Sequence, residues 1–168
     1  MKMFKQFYPS EYADSAYAIS YQSLKEGGVR GIIFDIDNTL VPHGAPADDR
    51  AIRLFAMLKE MKIRTCLLST NRESRVKSFA KAVGCGYICG CGKPSRKGYR
   101  KAMEWMGTDC SSTIFVGDQL FTDIWGANRT GIRSILVKPI QSREEIQIVL
   151  KRIPERIMLW IGGKDKEK

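Results

Sequence analysis

The chain has 168 residues, 43% hydrophobic and 27% charged, ordinary globular usage that excludes a disordered chain and leaves room for one domain over 1–168 rather than two large ones. Lysine and arginine number 28 against 18 acids, a formal charge of +10, which attracts polyanions such as nucleic acid, anionic lipid or phosphorylated small molecules without choosing among them. Apolar runs such as 157–161 fall far short of the ~20 residues that span a bilayer. The stretch 1–22 lacks the apolar core of a secretion signal, so the chain is expected in the cytosol. Five cysteines, an odd number, read as reduced thiols rather than a disulfide framework.

In chain order, 29–34 (VRGIIF) follows the Gly27-Gly28 break as a short apolar strand. After a polar start at 46–49, Ile52, Leu54, Phe55, Leu58 and Met61 fall at helical spacing, and 63–68 (IRTCLL) is the second strand. A helix carrying Val76, Phe79, Ala80 and Val83 ends at Gly84 and leads to a weak strand at 87–89. Tyr99, Ala102, Met103 and Met106 form another helical stripe, stopped at Gly107. Strands at 113–116 and 132–137 then flank a helix near 120–130 that Gly131 ends. Strands alternating with helices predict an α/β fold, a three-layer Rossmann-like parallel sheet covered on both faces.

Ligands of such sheets bind beyond the carboxyl ends of the strands. The residues there are Asp35 and Asp37, Ser69 and Asn71, Lys93, and Asp118. A carboxylate can attack phosphorus and split one hard hydrolysis into two easier steps. Asp35, nearer its strand, is the expected nucleophile, and Asp37 the expected proton carrier, its pKa raised by burial or a like-charged neighbour. Ser69 and Asn71 are candidate phosphate donors, and Lys93, held by Pro94, a fixed positive charge. Magnesium suits oxygen ligands, so Asp35, Asp37, Asp118 and Asp123 are the candidate metal ligands.

These four motifs, in order, resemble the haloacid dehalogenase superfamily: Asp35-Ile36-Asp37-Asn38-Thr39, Ser69 after two leucines, Lys93-Pro94, and Gly117-Asp118 with Asp123. The resemblance runs from about 29 to 139. More narrowly, GDQLFTDIWGANRTG with ILVKPI looks like the subfamily IIIA branch of YqeG-type proteins and mitochondrial phosphatidylglycerophosphate phosphatases, on Gln119, Thr122, Asn128 and Arg129. An acid at position 37 points, within that superfamily, to a phosphatase or phosphomutase. Only 33 residues separate Asp35 from Ser69 and 23 separate Ser69 from Lys93, which leaves no room for a mobile cap. A capless site favours a large substrate, or closure by another subunit or by a surface.

Three further features carry expectations. Cys85, Cys89 and Cys91 raise zinc, but a tetrahedral site needs a fourth ligand and the one histidine is His43; buried thiols are the preferred reading. Asn128 and Arg129 suit either helix-end stabilisation or substrate contact. The basic, apolar-striped extension 142–168 suits terminal packing up to 153 and an interfacial anchor beyond it. The reading is a magnesium-dependent phosphomonoesterase working through phospho-Asp35 on phosphatidylglycerophosphate, peripheral on the inner face of the membrane. Its rivals are a phosphatase of a soluble sugar phosphate or a nucleic-acid 3′-phosphate, and a non-catalytic RNA- or ribosome-binding protein.

Overall fold

Central strands buried on both faces build a sheet between two helical layers. The structure is a computed structural model that describes residues 6–141, so the expectations for 142–168 lie outside the described residues. The elements are β1 (Glu11–Ala13), α1 (Tyr21–Glu26), β2 (Gly31–Phe34), α2 (Asp49–Glu60), β3 (Arg64–Ser69), α3 (Glu73–Val83), β4 (Gly86–Cys89), α4 (Arg96–Met106), β5 (Thr113–Gly117), α5 (Trp125–Thr130) and β6 (Arg133–Val137). A π-helical turn, Leu120–Ile124, leads into α5. The six strands lie in the order β1-β6-β5-β2-β3-β4, and all pairs are parallel.

Successive strand residues point to opposite faces. Ile32, Phe34, Leu67, Ile114 and Val116 meet α1, α2 and α3 on one side. Ile33, Cys66, Leu68 and Phe115 meet Tyr99, Ala102, Met103 and Met106 of α4, with Ala127 of α5, on the other. Burial of side chains of this size contributes roughly 1.5–3 kcal/mol each. The helix starts and stops follow local rules: Asp48 Oδ1 accepts from the Ala51 amide at 2.9 Å, and Gly84 and Gly107 end α3 and α4 in the left-handed region.

From β2 the chain runs outward through β3 and β4, then returns to the other side of β2 with β5. The reversal opens a crevice at the carboxyl ends of β2 and β5. Asp35 and Asp118 are the residues directly after those two strands. Each interval between Asp35, Ser69 and Lys93 holds one helix and one strand, with no inserted cap.

Two elements fall outside the sequence expectation. β1 is a three-residue edge strand, and α1 has six residues, both too short to show a periodic stripe. The segment before them is anchored on α5: the Asn128 amide donates to the Gln6 and Tyr8 carbonyls, each at 2.8 Å. Phe7 stacks on Trp125 with centroids 5.2 Å apart.

Candidate active site

Four strand ends bring together charges that are far apart in sequence. Asp35, Asp118 and Asp123 each offer an oxygen to one cluster whose atoms lie within 4.8 Å of one another, so the three could hold a metal ion. Lys93 closes the cluster, its Nζ donating to Asp35 Oδ1 at 2.5 Å and to Asp123 Oδ1 at 2.6 Å. Three of the four are dry, with side-chain exposure of 6% for Lys93, 8% for Asp35 and 0% for Asp123, while Asp118 is half-buried.

Asp123 sits there because the backbone makes room. A Cβ on Gly117 would stand 2.5 Å from Asp123 Oδ2, so the position needs glycine. The Gln119 amide donates to Asp123 Oδ2 at 3.1 Å, and the buried Tyr99 hydroxyl reaches the Thr122 and Asp123 carbonyls at 3.0 Å. Thr122 Oγ1 donates to Gln119 Oε1 at 2.8 Å, tightening the same turn. Thr39, fully buried, directs its hydroxyl to Asp118 Oδ1 at 3.3 Å.

Three carboxylates face one ammonium, an imbalance that raises carboxyl pKa values. Burial pushes Asp35 up, and the Asp123 and Asp37 charges add to it, outweighing the opposing pull of Lys93. Asp118 rises for the same reasons, burial first and then Asp123 and Asp35. For Lys93, burial would lower the pKa, but Asp123 and Asp35 raise it above the usual range. A divalent cation is the complement of this charge set, so the donor set fits one.

Asp37 differs from the expectation in two ways. Its carboxylate lies outside the metal-capable trio. Protein donors take its oxygens instead: Oδ1 accepts from the Gly44 amide at 2.9 Å and from Arg75 Nη2 at 2.6 Å, and Oδ2 from Asn71 Nδ2. Burial alone would raise its pKa, but these donors hold the carboxyl below its ordinary value. The expected proton-holding acid is thus ionised in the resting site. Asn71, expected on phosphate, spends its side-chain amide on Asp37, and its backbone amide donates to Ser69 Oγ at 3.2 Å. Ser69 itself is buried at the end of β3.

Arg75 had no signal in the sequence. It reaches from α3 to Asp37 and also donates to the Gly44 and Ala45 carbonyls at 3.0 and 2.9 Å. His43 Nδ1 stands 4.0 Å from Asp37 Oδ1 in the same loop. Asn38 turns this loop at a φ of 60°, tolerable for asparagine; its amide donates to the Val41 carbonyl at 2.7 Å and its carbonyl accepts from the Ile140 amide at 3.1 Å. Asn128 and Arg129 lie elsewhere: Asn128 pins the 6–8 segment, and the Arg129 guanidinium stands 5.0 Å over the Trp125 ring. The thiols are free. Cys85 and Cys89 pack against the larger core cluster, with Cys85 Sγ donating to the Gly86 carbonyl at 3.3 Å.

The sequence model of a hydrolase family, the haloacid dehalogenase-like hydrolases, matches residues 43–131. The chain is also 38% identical over 159 residues, 94% of its length and 92% of the relative's, to a Bacillus subtilis (strain 168) protein named Probable phosphatase YqeG. The chain belongs to the haloacid dehalogenase-like hydrolases. As a member of that family with acids at the ends of β2 and β5, it is an enzyme of the phosphatase type. It is 28% identical over 141 residues to Phosphatidylglycerophosphate phosphatase 1, chloroplastic/mitochondrial, of Arabidopsis thaliana, covering 78% of this chain but 40% of that protein. The fold is shared with the cobalt-bound deoxy-D-mannose-octulosonate 8-phosphate phosphatase (YrbI) of Haemophilus influenzae, at a TM-score of 0.52 and 15% identity over 68% of this chain and 81% of that one. A haloacid dehalogenase superfamily hydrolase from Ehrlichia chaffeensis aligns at 0.54 with 15% identity over 75% and 98%.

Proposed function

We propose that this phosphatase hydrolyses a phosphomonoester by way of phosphorylated Asp35, with magnesium held by Asp35, Asp118 and Asp123, and that its substrate is phosphatidylglycerophosphate. The observation that carries the chemistry is Asp35, a carboxylate fixed 2.5 Å from the Lys93 ammonium inside a cluster able to hold a cation. Asp35 attacks phosphorus while the alcohol oxygen departs, giving an aspartyl phosphate and the free alcohol. Water then cleaves that phosphate and restores Asp35. Lys93 offsets charge on the phosphoryl oxygens, and the Ser69 hydroxyl donates to one of them. Bound magnesium would supply further positive charge at those oxygens.

Asp37 is the proton carrier of both halves. Ionised against Arg75 and Asn71, it is matched to the second half, where it accepts the proton of the attacking water. In the first half it delivers a proton to the leaving oxygen and must therefore first be protonated. The Arg75 pair opposes that step. Asn71 serves by orienting Asp37 rather than by binding phosphate.

Three features support the lipid substrate. Relatives named for phosphatidylglycerophosphate match 78% and 86% of this chain, which spans 40% and 57% of their lengths. The formal charge of +10 favours an anionic surface, each well-placed base contributing about 1 kcal/mol there. The site carries no cap between its motifs, so a headgroup still anchored in a bilayer can enter. No helix of the described residues is long and apolar enough to cross a membrane. The proposed attachment is peripheral, from the cytoplasmic side, through the part of the extension beyond 153.

The test is phosphate release by purified protein with magnesium from three substrates: phosphatidylglycerophosphate in liposomes, a soluble sugar phosphate, and an oligonucleotide with a 3′-phosphate. Preference for the lipid, lost on chelation, is expected. Turnover of only a soluble substrate would overturn the lipid assignment.

A further inference from the structure

A cleft of about 590 Å³ opens between the β1–β6 edge of the sheet and α1, and Asp118 of the acid cluster forms part of its wall. That size is ordinary for a small-molecule site, roughly 300–1,000 Å³. A groove of about 620 Å³ between α1 and α2 is lined by none of the acids. Gly117 pairs with Leu136 in the sheet, so Asp118 and Lys138 leave neighbouring strand ends together. Ala13 pairs with Val137, which makes the short strand β1 the outer wall of the cleft. Both walls, 11–24 and 135–139, lie outside the family match at 43–131. They are therefore where this chain can add specificity to a common catalytic floor.

We infer that this cleft seats the leaving alcohol of the phosphomonoester and that Lys138 meets a second anion, a phosphodiester, carried by that alcohol; the inference rests on the proposed phosphatase activity. Ile19, Leu24, Ile135 and Val137 give the cleft an apolar floor suited to the carbon backbone of a polyol. Ser23 lines it too, in hydroxyl contact with Ser20 at 2.8 Å, and supplies a partner for an alcohol group. Lys138 is the one cation among the lining residues, with Glu11, Asp14 and Asp118 the acids. Glu11 is engaged by Arg133, away from the site end. Lys138 pairs with Asp14, but the two side chains are 76% and 79% exposed. A pair so exposed is weakly held, leaving the ammonium able to turn to a ligand anion next to Asp118. In a fold without a cap, this wall supplies the recognition that a cap would otherwise give.

The test compares wild type, Ala18→Trp and Lys138→Gln on three soluble esters: glycerophosphoglycerol phosphate, glycerol 3-phosphate and a small aryl phosphate. Ala18 lines the cleft and is exposed to it, so the indole fills the space without disturbing the core. Expected are a KM for glycerophosphoglycerol phosphate raised roughly tenfold or more in Ala18→Trp and roughly two- to fivefold in Lys138→Gln. An aryl phosphate carries no second anion, so its turnover should stay unchanged in Lys138→Gln. Calorimetric titration with glycerophosphoglycerol, which needs no turnover, should lose its signal in Ala18→Trp. Unchanged binding and unchanged selectivity in Ala18→Trp overturn the cleft, whatever the enzyme hydrolyses. A cleft-dependent preference for glycerol 3-phosphate overturns the Lys138 assignment and the lipid reading together. Intact binding in a wild type that hydrolyses no ester would instead defeat the proposed activity while upholding the cleft.

Discussion

Asp35 and Asp37 stand two residues apart, yet the floor of the site and its rim treat them in opposite ways. On the floor, Asp35 shares a mostly dry cluster with Asp118, Asp123 and a single lysine, and its pKa rises. On the rim, Asp37 receives Gly44, Asn71 and Arg75, and its pKa falls. Local sequence is the same for both; what differs is how many donors the tertiary fold aims at each. In the proposed reaction, the under-compensated floor is the part that takes a cation and an electrophilic phosphorus, and the well-donated rim is the part that keeps a base ready.

Replacing Asp35 with Asn should have the largest effect, at least ~10⁴-fold in turnover, with circular dichroism unchanged, because an amide of equal size cannot attack phosphorus. Wild-type turnover in a clean preparation would remove Asp35 from the mechanism. Asp37→Asn deletes the proton carrier and keeps the nucleophile, so rapid-quench kinetics should show both half-reactions slowed by roughly 10²- to 10⁴-fold. A defect confined to substrate binding would contradict its role. Arg75→Met tests the rim itself and should cost less, about tenfold, with breakdown of the intermediate slowed and its formation spared or quickened. Equal slowing of both steps would mean that Arg75 only holds the loop.

The smallest effect is a pH dependence of cation binding. The folded pKa values of Asp35 and Asp118 are raised, so the metal-free fold binds protons more tightly than the unfolded chain. Its stability from these two groups is present below the unfolded carboxyl pKa of about 4 and lost as pH rises through the folded values. A cation takes the place of those protons. Magnesium should therefore raise the unfolding midpoint more at about pH 8 than at about pH 5.5, by a few degrees, and Asp118→Ala should flatten the difference. A thermal shift independent of pH would argue against a shared acidic site.

How far the sequence could be read follows the same division. β2, β3 and β5 announce themselves as short apolar runs because both of their faces are buried, and the acids after β2 and β5 are visible as the residues where those runs stop. Asp123 is legible from its spacing to Asp118, though the need for Gly117 beneath it is a matter of packing. β1 is not legible: three residues are too few to show a pattern, Tyr12 is 70% exposed, and the Glu11–Arg133 ion pair that joins β1 to β6 spans residues far apart in sequence. Nor is Arg75, since a charged residue on an exposed helix start looks solvated until the fold brings Asp37 to it. The expected raised pKa of Asp37 assumed that two adjacent acids share one environment. They do not, because Gly44, Asn71 and Arg75 donate to only one of them.

The central claim is that the phosphoryl group passes through Asp35. Acid quenching of Asp37→Asn during turnover of a small aryl phosphate with magnesium, followed by peptide mass analysis, tests it most directly. The account predicts a peptide spanning Asp35 heavier by one phosphoryl group, absent when Asp35 is also replaced by Asn. Steady turnover with no phosphorylated peptide at any quench time, or a phosphoryl group on a peptide that lacks Asp35, would contradict it.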